Sequence, residues 1–338
     1  MKAAIASPRP LTFALLRLLA DGEFHSGEAM ARQLQVSRAS VNNALRETED
    51  YGLTLYRVRG RGYCLVNPPQ WLDAASIARH LGKQLKNFHL TILDSVPSSN
   101  TLLMRQMAQG APSGSVLAVE LQYGGRGRMG RPWHSGLGNA LTFSLLWRFG
   151  FGVAALSGLS LATGVALIHA LRSFGVASAQ LKWPNDLLDE HGAKLAGVLI
   201  EAQGDMLGPS AVVIGIGLNL TLPQHVSRQI DRPAASLADM LGEVPDRNHL
   251  LALLLLELGD MLREFATHGF VALRAEWENN HALQDSRVRL LLPDGSHVSG
   301  IARGVTNEGA LRMETDSGMQ TFHAGEISLN GEAEHAVA

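Results

Sequence analysis

The sequence predicts a multidomain α+β protein: a small helical unit closed by a β-hairpin, a larger mixed α/β domain, and a short all-β unit at the C-terminal end. Three observations predict it. Apolar residues recur at helical spacing behind polar caps over the first fifty positions and then alternate across a Gly-Arg-Gly turn. The middle of the chain interleaves apolar strands with long apolar helices. From Arg287 onward, short alternating runs are separated by glycine-containing turns.

Composition narrows the function classes. A chain of 338 residues, 46% hydrophobic and 18% charged, has ample core and is not a disordered sequence. With 29 Lys+Arg against 31 Asp+Glu, the net charge of -2 excludes a general polycation, so nucleic-acid contact has to come from a local patch. The single cysteine, Cys64, excludes an internal disulfide and any multi-cysteine metal site, which fits a reducing, cytoplasmic setting. Leu11 to Ala20 is broken by Arg17 and followed by Asp21 and Glu23, unlike a secretory signal. Val153 to Leu171 is long and uncharged, but Ser157, Gly158, Ser160, Thr163, Gly164 and His169 favour a helix buried in a globular domain over a membrane span.

Residues 1–66 form the first unit. Leu11 to Ala20 reads as a helix, Ser26 caps a second with Met30 and Leu34 inward, and Ser37 caps a third, with Val36 placed to staple onto Val41. Val41, Ala44, Leu45 and Thr48 make the inner stripe of the third helix, leaving Arg38, Ser40, Asn42, Asn43 and Arg46 outward. A hairpin follows, its basic tip carrying Arg57, Arg59 and Arg61 around Gly60 and Gly62. Three helices and a hairpin make a winged helix-turn-helix. Its nine Lys/Arg against six Asp/Glu concentrate positive charge at this end. DNA binding through Ser26, Ser37, the outward residues of the third helix and the three wing arginines is the favoured reading. A protein-interaction module with solvated arginines is the alternative.

Asn67-Pro68-Pro69 marks a linker into a second unit, residues 67–284, with a helix starting near Asp73. Ser98-Ser99-Asn100-Thr101 is a polar cluster opening a helix, simplest as a cap. A buried strand from Val116 to Glu120 leads through Gln122 to Gly125-Arg126-Gly127-Arg128-Met129-Gly130-Arg131, where glycines let backbone N–H groups approach an anion and guanidinium forks grip its oxygens. Ala140 to Trp147 is a strand and Leu156 to Phe174 a helix. Lys182-Trp183-Pro184-Asn185-Asp186 and Lys194-Leu195-Ala196-Gly197 interrupt apolar strands with charge. In Val212 to Leu220, Gly215 and Gly217 strip one strand face, so that a flat ligand or another backbone can approach, and Asn219 ends the strand with an amide. Helical stretches at Leu250 to Phe265 and Phe270 to His281 close the unit. Residues 285–330 then read as a small β-barrel and residues 331–338 as a tail.

The Gly/Arg loop with Trp133, the Lys182 to Asp186 run, Lys194 to Gly197 and Gly215-Ile216-Gly217-Leu218-Asn219, in that order, resemble the motifs of biotin protein ligases. With the winged helix in front, nearly the whole chain resembles the bifunctional form that joins biotin–[acetyl-CoA-carboxylase] ligase to a repressor of the biotin operon. The resemblance implies a central domain of the biotin/lipoate ligase type and an SH3-like C-terminal β-barrel. It implies that biotin is joined to AMP from ATP with Mg²⁺, then passed to a lysine of a biotin carboxyl carrier protein, and that the adenylate acts as co-repressor. Operator DNA and an adenylate-promoted homodimer are implied as well, the dimer formed through Gly197 to Ala202 and Val212 to Leu220.

Carried onto this sequence, the resemblance gives Ser98, Ser99, Asn100 and Gln122 to the biotin ureido ring, with Ser99 where the family has Thr. It gives Arg126, Gly127, Arg128 and Lys194 to the carboxylate and phosphate, and Gly125, Arg131, Trp133, Lys182, Asn185 and Asn219 to the nucleotide. Arg128, Lys194 and Asp186 carry the chemistry, Asp186 either holding Mg²⁺ or steering the incoming amine. No dedicated protein metal site is expected. After the loop, Trp133-His134-Ser135-Gly136 departs from the family's Trp-x-Ser-Pro. Two other readings stay open: a biotin-sensing repressor without catalysis, and a lipoate ligase, whose loop favours consecutive glycines over these arginines.

Overall fold

The computed structural model describes residues 7–329, so the expected tail at 331–338 lies outside the described residues. Helices α1 (Pro10–Leu18), α2 (Gly27–Gln33) and α3 (Arg38–Ala44) precede a hairpin of β1 (Thr54–Val58) and β2 (Gly62–Val66). Ser26 Oγ accepts from Ala29 N and Ser37 Oγ from Ser40 N, both at 3.0 Å, so each predicted cap satisfies a first-turn donor. Val41, Ala44, Leu45 and Thr48 are all buried, and Val36 packs against the same cluster.

The central unit runs through α4 (Ala74–Leu81), β3 (His89–Val96), α5 (Ser99–Ala108), β4 (Ser115–Gln122), β5 (Ala140–Phe149), α6 (Leu159–Ser173), β6 (Gln180–Lys182), β7 (Asp186–Leu188), β8 (Lys194–Gly204) and β9 (Ser210–Asn219). Two short helices, α7 (Gln224–Ser227) and α8 (Leu237–Leu241), lead to the long α9 (Arg247–His268) and to α10 (Arg274–Asn279). Seven strands pair in the order β3-β4-β5-β9-β8-β7-β6, parallel between β3 and β4 and antiparallel elsewhere. Every residue of β4 is buried, because both faces are covered. Val116 and Ala118 join the core made with α4, α6 and α9; Leu117 and Val119 join the one made with α5.

The helix expected from Leu156 starts three residues later. Gly158, at φ 83°, turns the chain between a 3₁₀ turn at Val153–Leu156 and α6, and a Cβ there would meet Phe270 at 2.5 Å. Packing against α9 and the sheet buries α6 nearly all round, which explains its lack of charge. Among the described residues, no helix is long and apolar enough to cross a membrane. The expected helix over Phe270 to His281 divides into a 3₁₀ turn at Phe270–Ala272 and α10.

Strands β10 (Arg287–Leu291), β11 (His297–Val305), β12 (Leu311–Thr315), β13 (Gly318–Phe322) and β14 (Glu326–Leu329) form the C-terminal β unit, antiparallel in the order β13-β12-β11-β10-β14. Val305 N donates to Glu278 Oε1 at 2.9 Å and Trp183 Nε1 to Gly309 O at 3.1 Å, which ties this unit to α10 and to the β6–β7 turn.

The N-terminal unit is tied in as firmly. Leu121 and Leu137 lie in its hydrophobic cluster, Leu137 N donates to Tyr51 O at 2.7 Å, and Arg17 pairs with Asp94 at 2.5 Å. The linker is held by a buried ion pair, Arg247 Nη1 to Glu120 Oε2 at 2.8 Å. Arg247 also donates to Gln70 O, and Glu120 accepts from Leu72 N. Removing one partner strands a buried charge, so Glu120→Ala is expected to lower stability by about 3–5 kcal/mol. Urea unfolding checks this; a loss under about 1 kcal/mol would show that the linker does not depend on the pair.

His281, stacked on Trp277 with ring centroids 4.5 Å apart, is 6% exposed, and burial pushes its pKa down to about 4. The unfolded chain therefore takes up a proton that the folded chain refuses. The stability this group contributes is complete above about pH 6.5 and is lost as the pH falls to about 4. His281→Phe is expected to flatten that acid limb in urea unfolding measured at pH 4.5 and 7.5; an unchanged slope would count against it.

Candidate functional site

Helix α5 opens the site. Ser98 Oγ accepts from Thr101 N at 3.4 Å as its cap, and this places Ser99 and Asn100 in the first turn, buried against the sheet. Ser99 N and Oγ both donate to Gln122 Oε1, at 2.7 and 3.0 Å. Asn100 Nδ2 donates to Leu199 O at 3.1 Å and Glu201 Oε2 at 3.0 Å. A fourth residue that the sequence did not single out completes the cluster: Ser144, fully buried on β5, lies 2.7 Å from Ser99 Oγ and 2.6 Å from Asn100 Oδ1.

The two strand glycines now have a physical reason. A Cβ at Gly215 would sit 2.2 Å from Asn100 Oδ1, and one at Gly217 would sit 2.4 Å from the Trp133 ring. What approaches the stripped face is thus the chain's own amide and indole. The Gly/Arg loop closes as a small hairpin, with Gly127 N donating to Arg131 O at 2.7 Å and Trp133 N to Gly125 O at 2.8 Å. Gly136 stands where a Cβ would approach Asn139 Nδ2 to 2.4 Å and Tyr51 O to 3.1 Å, so the turn's departure from Pro coincides with close docking of the N-terminal unit.

Carboxylates face three of the cations. Arg126 Nη2 meets both oxygens of Glu201 at 2.8 Å, Arg131 Nη1 meets Glu326 Oε2 at 2.5 Å, and Lys194 Nζ meets Asp186 Oδ1 at 2.5 Å. Gly197 leaves room for the last pair, since a Cβ there would lie 3.2 Å from Lys194 Nζ. Arg128 has no carboxylate within ion-pair distance among the described residues and donates to Asn185 Oδ1 at 3.4 Å. Burial lowers its pKa, opposed by Glu326 and Asp186, so an anion arriving there would offset a desolvation cost. Asn219 Nδ2 donates to Ala235 O at 3.0 Å and Lys194 O at 3.3 Å, which anchors the wall formed by Gln229 to Ala234.

These side chains enclose a cavity of about 200 Å³. Ser98, Ser99, Asn100 and Gln122 line one part; Arg126, Gly127, Arg128, Arg131, Trp133, Asn185, Asp186, Lys194 and Asn219 line the rest. Gly125 and Lys182 stand outside the lining. Gly125 serves the loop closure, and Lys182 lies on the outermost strand, where its charge faces His281. Sequence reasoning missed Ser144, Glu201, Glu326 and the 229–234 wall. The first two sit inside regular strands, and the wall has no periodicity to mark it.

In the N-terminal unit, Arg38, Asn42, Asn43, Arg46, Arg57, Arg59 and Arg61 are exposed, and Ser40 is half-buried. Ser26 and Ser37 are spent as caps. Arg57 Nη2 turns back onto Leu45 O at 2.6 Å, the last turn of α3, and Arg61 lies over the Phe24 ring at 4.0 Å. Asn42 accepts from the Tyr63 hydroxyl at 3.3 Å, and Arg46 donates to Asn43.

Residues 92–219 match the Biotin/lipoate A/B protein ligase family, 285–330 the Biotin protein ligase C terminal domain, and 11–64 an HTH domain. The bifunctional ligase/repressor BirA of Salmonella typhimurium is 37% identical over 322 residues, covering 95% of this chain and 97% of that one. The chain belongs to the bifunctional biotin ligase/repressor family. BirA of Escherichia coli K12 is 36% identical over 93% of this chain and 96% of its own. The Aquifex aeolicus biotin protein ligase solved with biotin and ATP superposes with a TM-score of 0.60 at 27% identity, covering 71% of this chain and 97% of that one. Because Gly215 leaves no space for a side chain, Gly215→Ala is expected to dislodge Asn100 and cost about 1–3 kcal/mol of stability by overpacking. Equilibrium unfolding checks it, and an unchanged midpoint would mean that Asn100 retreats without loss.

Proposed function

We propose that this chain joins biotin to AMP at the expense of ATP, transfers the biotinyl group to a lysine of a biotin carboxyl carrier protein, and represses transcription through its N-terminal unit. The observation that carries the catalytic part is that Arg128 and Lys194, 66 positions apart in the sequence, line one cavity with the Ser99, Asn100 and Gln122 cluster. Biotin carboxylate and ATP are both anions, and bringing them together requires fixed positive charge at the meeting point.

A carboxylate oxygen attacks the α-phosphorus, the bond to the β-phosphate oxygen breaks, and pyrophosphate leaves. Arg126, Arg128 and Lys194 take the carboxylate and α-phosphate oxygens; Arg131, Trp133 and Asn185 face the nucleotide; and Asn219 acts indirectly, by anchoring the strand end that bears Lys194. In the second step the carrier lysine amine attacks the acyl carbon and AMP departs. Asp186, 2.5 Å from Lys194 Nζ, is the carboxylate placed to receive or steer the amine proton. No cluster of three or more His, Cys, Asp or Glu suited to a metal occurs among the described residues. A Mg²⁺ arriving on the ATP phosphates would neutralise phosphate charge, and Asp186 is the carboxylate that would hold it.

Repression is assigned to the exposed side chains of α3 and to Arg59 on the wing, over operator DNA. A homodimer would extend the central sheet through β8, whose pairing with β7 ends at Gly197. Of the two segments expected at that contact, Val212 to Leu220 is corrected: β9 is flanked by β5 and β8 along its length and offers no open edge. The lone buried cysteine supports a cytoplasmic setting.

Mass spectrometry of a carrier domain incubated with the chain, biotin and ATP is expected to register one added biotinyl group, with pyrophosphate released. Lys194→Gln is expected to slow pyrophosphate release about 10²-fold, the usual cost of one transition-state donor. Biotin binding without pyrophosphate release would favour a sensor without catalysis, and labelling with lipoate in place of biotin would favour a lipoate ligase.

A further inference from the structure

Two buried or half-buried side chains beside the cavity, Ser144 and Glu201, do not line it, yet each holds groups that do. We propose that Ser144 and Glu201 are positioning residues, joined to the ligand-facing side chains in one hydrogen-bonded chain that runs Gln122, Ser99, Ser144, Asn100, Glu201, Arg126. The inference rests on the ligase reading above and deepens it, by naming what sets the donor and acceptor pattern offered to biotin.

Proton bookkeeping fixes the polarity of this chain. Asn100 Nδ2 faces Leu199 O and Glu201 Oε2, which can only accept, so its amide nitrogen has to point there. Its Oδ1 then faces Ser144 Oγ at 2.6 Å, and the single Ser144 proton is committed to it. Ser144 Oγ is left as an acceptor for Ser99 at 2.7 Å, and Ser99 shares its own proton between Ser144 and Gln122 Oε1. Ser99 N holds the same Gln122 oxygen at 2.7 Å, which directs Gln122 Nε2 away as a donor. Reversing Asn100 would set acceptor against acceptor, and reversing Gln122 would set its Nε2 donor against the Ser99 N–H. Ser144 is fully buried and stands outside the cavity lining, so water cannot replace its hydroxyl.

At the other end, Glu201 meets Arg126 through Nη2 alone, and Thr101 Oγ1 accepts from that same nitrogen at 3.3 Å. Both forks of a guanidinium include Nη2, so a ligand carboxylate would meet Arg126 through Nη1, beside a nitrogen whose direction Glu201 already fixes. Glu201 thus connects the residues facing the uncharged ring of biotin to the arginine facing its carboxylate, and steadies both.

The test is a KM comparison in the pyrophosphate-release assay. Ser144→Ala is expected to raise KM for biotin about tenfold while KM for ATP stays within about twofold. Glu201→Gln keeps an acceptor for Asn100 but removes the charge on Arg126, and is expected to raise KM for biotin about threefold. Because both act on one chain, the double variant should fall clearly short of the thirtyfold product. A full thirtyfold rise, or KM for ATP rising in step with KM for biotin, would overturn the proposal. Should Ser144→Ala fail to fold, Ser144→Cys, a weak donor of similar size, is expected to give an intermediate rise, and a wild-type KM would overturn it. If the unaltered chain releases no pyrophosphate, the ligase reading fails, and calorimetric titration with biotin carries the test instead. There Ser144→Ala must still weaken binding about tenfold; equal affinity, or no binding by the unaltered chain, overturns the proposal.

Discussion

Like charges gathered at one point repel, and this site gathers five cations, Arg126, Arg128, Arg131, Lys194 and Arg232. The rest of the molecule is arranged around keeping them there. Each of three is held by a carboxylate from a different part of the chain: Glu201 from β8, Asp186 from the β6–β7 hairpin, Glu326 from the C-terminal unit. The pairs are partly exposed, so each contributes modestly to stability. Their larger effect is geometric. A guanidinium held on one edge presents the other, and an ammonium held at one contact has a defined direction. The C-terminal unit is thus tied to the site it adjoins, since removing Glu326 would leave Arg131 beside Arg128 without its carboxylate partner.

The same loop that carries these arginines leads into the N-terminal unit. Between Arg131 and β5 the chain passes Trp133, whose ring lies on Gly217, then Gly136, then Leu137, whose side chain is in the N-terminal cluster and whose N–H bonds Tyr51 O. Five residues therefore separate a cation of the cavity from the core of the helix-turn-helix. The loop and the N-terminal unit are joined by one short, packed stretch of chain.

Legibility followed the reach of each interaction. The helix caps at Ser26, Ser37, Asp73 and Ser98 were readable because a cap acts over three residues. The strands were readable because burial on both faces writes a continuous apolar run, and the cations were readable because glycine and arginine rarely share so short a segment without an anion to meet. Ser144, Glu201 and Glu326 were not readable, since their significance lies in partners 45, 75 and 195 positions away. A serine in a strand and a glutamate near a strand end are ordinary until the fold brings those partners in. Gly158 was missed for a related reason: the side chain that crowds it, Phe270, comes from beyond the end of α9.

Gly215 and Gly217 illustrate how a local inference can be right about a close approach without naming the side chains that make it. Alternation places both on one face of β9, and the absence of side chains there does admit a close neighbour. That neighbour turned out to be Asn100 over one glycine and Trp133 over the other, at distances that exclude even a methyl group. The strand thus lines the cavity itself and also sets the depth of an amide and of an aromatic ring that line it beside the glycines. This arrangement ties helix α5, the Gly/Arg loop and the central sheet to a common surface. The precision of the site therefore comes from the rigid element at its floor, while its chemistry comes from the loop and strand ends above it.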